Sequence, residues 1–86
     1  MTDNSNEKHI KLWTPATYRI EVEGYLAKSW SDRFAGMRIT TRKRADQTTV
    51  STLVGRLRDQ AELSGVLNSL YGLHLSILKV EAVNGE

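Results

Sequence analysis

Eighty-six residues with 40% hydrophobic side chains and a net charge of +2 allow one small domain with a weak overall field. The chain has no cysteine, which excludes disulfides, thiol catalysis and thiolate zinc sites and fits a bacterial-type cytoplasmic setting. No apolar run approaches the ~20 residues that span a bilayer, and the polar opening MTDNSNEKHIK lacks the apolar centre of a secretory signal.

In chain order, residues 1–17 read as a flexible N-terminal arm. Its first part is rich in Asn, Ser, Asp and Glu, and its end carries Ile10, Leu12 and Trp13 ahead of the only proline. TYRIEVEGYL then alternates, with Tyr18, Ile20, Val22, Gly24 and Leu26 on one face and Arg19, Glu21, Glu23 and Tyr25 on the other. Period two predicts a half-buried strand. AKSWSDR is predicted to be a connecting loop containing Trp30. FAGMRITTRK alternates again, with Met37, Ile39 and Thr41 opposite Arg38, Thr40 and Arg42, and RADQ reads as a turn. TTVSTLVGRL is β-branched and predicts a third strand. Its phase is expected to put Leu53, Gly55 and Leu57 inward, because Leu57 leads straight into the next element.

RLRDQAELSGVLNSLYGL predicts one amphipathic helix. Asp59 is a good N-cap, and Glu62 three residues on completes an acidic capping box. Leu63, Val66, Leu67 and Leu70 form the core-facing stripe. Gly72 is the expected left-handed stop, with Leu73 the apolar contact beyond it. LHLSILKVEAV starts a last strand with Leu73, Leu75 and Ile77 in phase and His74 outward. Leu78, Val80 and Ala82 then fall on the other phase, which predicts a bulge or a different burial partner.

The sum is an α+β two-layer sandwich in the order strand-strand-strand-helix-strand, with one helix on one face of a four-stranded sheet. Residues 18–83 form the domain and 84–86 a C-terminal tail. A right-handed crossover is expected to bring the last strand parallel to its neighbour, the first strand. Two segments, WSDRFAGM and GRLRDQAELSGVL, resemble a group of short bacterial proteins of unknown function that share W-S-x-x-F-x-G and G-x-[LV]-x-D-Q-x-x-L-x-G-x-L. The resemblance spans about Tyr18 to Val80. It implies a compact α+β fold and no activity.

Little in the sequence speaks for catalysis. Asp59-Gln60 at the helix mouth is read as a cap, since capping explains Asp59 and Glu62 together. Gly65, costly inside a helix by ~1 kcal/mol relative to alanine, is assigned to close packing against Trp30. Neither His9 nor His74 has a partner at metal-ligand spacing. The serines lie outside any nucleophile-elbow pattern, and the glycines form no phosphate or dinucleotide loop. No enzyme activity, cofactor or metal is expected.

Three roles remain. The first is a non-enzymatic interaction or regulatory module, homodimeric through the spare apolar residues Leu78, Val80, Ala82 and Trp13. The second is a nucleic-acid-binding module in which Tyr25, Arg38, Arg42, Lys43 and Arg44 form a basic sheet face and hairpin tip. Glu21 and Glu23 share that face and are expected to pair with Arg38 across strands, which ranks this role lower. The third is a small-ligand pocket between Trp30, Phe34 and Gly65. The expected partner is a second copy or another protein, with no membrane.

Overall fold

The computed structural model describes residues 15–83. β1 (Ala16–Glu23) leads through a 3-10 helix (Lys28–Phe34) to β2 (Arg38–Lys43); β3 (Thr49–Leu57), α1 (Gln60–Gly72) and β4 (Ser76–Val83) follow. The four strands form one sheet in the order β2-β3-β1-β4. This is the expected α+β sandwich, and β1 begins two residues ahead of the expected boundary at Tyr18.

The connection between strands differs from expectation. β4 does lie beside β1, but antiparallel to it. β3 flanks β1 antiparallel on the other side, so β3 and β4 run parallel with β1 between them. The α1 crossover therefore skips one strand. β1 and β2 are likewise parallel with β3 between them, so the segment expected to be a plain loop is a second crossover. Two interlocked crossovers of this kind make the split β–α–β plan of ferredoxin-like sheets, here with a 3-10 helix in place of the first α-helix. A short element suffices because it is locked at its end. The Ser31 hydroxyl donates to the Met37 carbonyl at 2.6 Å, and the Gly36 amide to Ser31 at 2.9 Å.

Alternation decides the core. Tyr18, Ile20 and Val22 of β1 are buried with Leu53 and Leu57 of β3, and Ile20 stands opposite Leu53. Phe34, Met37 and Ile39 fill one side, and Val66 and Leu70 of α1 cover the layer with Leu63 and Leu67 partly buried. Burying a Leu or Ile contributes roughly 1.5–3 kcal/mol, so a one-residue slip of β3 would expose its two leucines. The expected phase of β3 holds. Gly55 is part of it: a Cβ there would lie 2.9 Å from Met37 Cγ and 3.0 Å from its Cα. Thr41 shares the face of Met37 and Ile39 as expected, but is exposed.

β1 ends at Glu23, so Gly24, Tyr25 and Leu26 lie beyond the strand. Gly24 turns the chain with φ +128, a conformation L side chains rarely adopt. The buried Ser51 hydroxyl holds this turn, accepting from the Leu26 amide at 2.9 Å and donating to the Gly24 carbonyl at 2.7 Å.

The helix ends also differ in part. Asp59 caps α1 as expected, accepting the Glu62 amide at 2.9 Å. Glu62 reaches one residue further back than a standard capping box, to the Arg58 amide at 2.8 Å. At the other end Gly72 is still helical, and the left-handed residue is His74 with φ 62. The His74 amide donates to Tyr71 at 2.9 Å and the Leu75 amide to Leu70 at 3.4 Å. These are the two bonds of a Schellman cap. His74 therefore sits in the cap rather than on a strand.

β4 carries the bulge. Glu21 faces Lys79 while Val22 faces Ile77, which leaves Leu78 as the extra residue. The bulge puts Ile77 and Val80 on the same side of the sheet. Leu75 and Ile77 pack against the core, and Leu78 and Val80 stay 42% and 40% exposed.

Candidate functional site

The polar side chains at the helix mouth have intramolecular partners. Asp59 caps, and Gln60 Nε2 donates to the Tyr18 hydroxyl at 3.0 Å, tying the start of α1 to β1. Glu62 is held below the ordinary carboxylate range by the Arg58 amide, with the Arg58 side chain adding to it. Asp46 is held low by the Thr48 hydroxyl and amide in the β2–β3 turn. A lowered pKa makes each carboxylate a weaker base near neutral pH. Among the described residues no group of three or more His, Asp or Glu side chains could hold a metal ion.

The expected pocket does not assemble. A Cβ at Gly65 would meet nothing within 4 Å, so Trp30 does not pack there, and Gly65 is exposed. Trp30 packs on the core instead, with the Arg33 guanidinium 5.0 Å from its ring centroid. Of the three expected residues only Phe34 lines the depression beside α1, with Arg33, Ser69 and Leu73; its volume is about 350 Å³.

The basic set is split. Arg38 and Arg42 are exposed, opposite Val54 and Val50 on the helix-free side. Lys43 ends β2 and Arg44 opens the turn. Tyr25, 68% exposed, follows the Gly24 turn and is not on the strand face. The face is laced with opposite charges. Arg42 stands 3.9 Å from Glu21, Arg19 3.0 Å from Glu81, and Lys79 3.6 Å from Glu81. The expected Arg38 pair with Glu21 or Glu23 is not made, because the β1 residue in its row, beyond Val54, is Arg19. Such exposed pairs are worth ~0–1 kcal/mol each. The central strands offer this face Thr17, Arg19, Glu21 and Glu23 from β1 and Val50, Thr52, Val54 and Arg56 from β3. None is aromatic, and Val50 is fully buried.

What remains is the outer edge of β4. Among the described residues its only strand neighbour is β1. Leu78 and Val80 are exposed there, as is Ala82. Three of the four residues expected in a dimer contact therefore share one strand; Trp13 lies outside the described residues. The signal in the sequence was the phase change after Ile77. No described helix is long and apolar enough to cross a membrane.

A family model described as a domain of unknown function matches residues 17–81, close to the span over which the two sequence segments show their resemblance. No curated protein and no solved structure matches the chain.

Proposed function

The chain belongs to the DUF8691 family, and from the geometry within that family's span we propose a non-enzymatic interaction or regulatory module that acts as a homodimer through β4. The observation that carries this reading is an exposed apolar pair, Leu78 and Val80, on a strand that is an edge of the sheet among the described residues. Open edges with exposed apolar residues recruit another strand, and a second copy closes the contact by two-fold symmetry. A cysteine-free chain suits the cytoplasm of a bacterium, which is part of the same reading.

Nucleic acid is the second reading, favoured by the exposed Tyr25 and the cations Lys43 and Arg44 near one end of the sheet. It ranks lower because single-strand binders stack bases on face aromatics. A small ligand in the depression by Arg33 ranks third.

The test is molar mass by light scattering over a dilution series. Wild type is expected at twice the chain mass, and Val80→Lys at the chain mass. A wild type that stays monomeric at high concentration overturns the proposal.

A further inference from the structure

The homodimer reading leaves open how two copies of β4 align, and the chemistry of the strand answers that. β4 pairs with β1 so that Ile20 faces Val80, Arg19 faces Glu81 and Glu21 faces Lys79. Val80 is thus on the helix side, and Lys79 and Glu81 are on the helix-free side. Around Val80 the strand is complementary to its own reverse: a cation precedes it and an anion follows.

Resting on the homodimer reading, we propose that a second copy adds antiparallel to β4 with Val80 opposite Val80 of the second copy. Lys79 then faces Glu81 of the second copy, twice over by symmetry. Antiparallel pairing keeps faces matched, so the valines meet on the helix side and the ion pairs form on the other. The result is one continuous sheet with the two β4 strands at its centre and both α1 helices on one face.

Neighbouring registers are penalised. A slip of two residues one way sets Lys79 against Lys79, and the other way Glu81 against Glu81; like charges directly opposite destabilise a sheet. A slip of one places Val80 against a charge and mismatches the faces. The Leu78 bulge lies just beyond these three pairs and limits regular pairing to the far half of β4. The other sheet edge is a poor competitor. Two β2 strands would bring Arg38, Arg42 and Lys43 of one copy against the same cations of the other. Lys79 and Glu81 are therefore the residues that set register and partner choice, and Val80 is the symmetric centre.

Two measurements test this. Lys79→Glu and Glu81→Lys, each alone, are expected to weaken self-association by about tenfold, since two attractive contacts become repulsive. An equimolar mixture of the two variants is expected to regain most of the lost affinity, because each altered charge then faces an opposite one across the interface, while the new clashes with Glu21 and Arg19 of β1 stay within each chain in monomer and dimer alike. In the cysteine-free chain, Val80→Cys is expected to form a disulfide dimer under mild oxidation. Residues directly opposite in antiparallel strands have Cα atoms ~4.5–5.5 Å apart, within the disulfide range. Lys79→Cys and Glu81→Cys are expected to cross-link with each other and not with themselves. A dimeric wild type whose single charge variants are unaffected, or whose mixture does not recover, overturns the register and leaves the homodimer standing. Cross-linking of Lys79→Cys with itself does the same. A monomeric wild type overturns both.

Discussion

Gly72→Ala and His74→Gly form a paired test of where α1 ends. Gly72 is helical and exposed, and an added Cβ would meet nothing within 4 Å. Glycine inside a helix costs ~0.8–1.0 kcal/mol relative to alanine, so Gly72→Ala is expected to stabilise the domain by up to ~1 kcal/mol. His74 carries the left-handed turn with φ 62. That conformation costs an L residue roughly 1–2 kcal/mol, and the greater unfolded freedom of glycine takes back ~0.5–1 kcal/mol. The net gain for His74→Gly is about 0.5–1 kcal/mol. In a domain of this size 1 kcal/mol moves Tm by ~4–8 °C, so thermal unfolding resolves both variants. The two sites belong to one cap, so the double variant need not be additive. The alternative stop at Gly72 makes the opposite forecast, since alanine in a left-handed position is penalised. A Gly72→Ala variant destabilised by more than ~1 kcal/mol refutes the cap assigned to His74.

Asp59→Ala is expected to lower stability by ~1 kcal/mol, the ordinary loss of an N-cap, with self-association unchanged; intact stability with lost association would return Asp59 and Gln60 to the status of a site. The lowered pKa of Glu62 gives an acid response. The folded state binds this proton less readily than the unfolded one, so the carboxylate contributes stability above the ordinary value of 4.5, and that contribution is lost as pH falls through the lower folded value. Glu62→Gln is expected to flatten the stability curve below about pH 4.5, and denaturant midpoints from pH 3 to pH 7 would show it; an unchanged acid slope counts against the Arg58 contact.

Local patterns carried much of the fold. The alternation at Tyr18, Ile20 and Val22 and the stripe at Val66 and Leu70 both survive in the core, because burial on one face fixes phase in strands and helices alike. The bulge at Leu78 was visible as a break in that phase. The misses share a different cause. Strand direction depends on which strands are neighbours, and the segment between β1 and β2 has too little helical periodicity to announce a crossover. The sequence points to Gly72 as the helix stop because glycine is the usual left-handed residue. The helix runs on, and the left-handed position falls two residues later at His74, a residue type that tolerates the conformation better than most.

The two segments that carried the family resemblance turn out to hold the fold together. Trp30 packs on the core, the Ser31 hydroxyl binds Met37, Phe34 is buried, and Gly36 takes φ 75 to turn the chain into β2. In the second segment Gly55 admits Met37, Asp59 caps α1, Gln60 binds Tyr18, and Leu63 and Leu67 pack inward. Gly65 alone has no contact to account for it. None of those named lies on β4. The strand least used by the core is the one with exposed apolar side chains and a self-complementary charge pattern. A second copy of β4 would satisfy both features at once, which a ligand at the helix mouth would not.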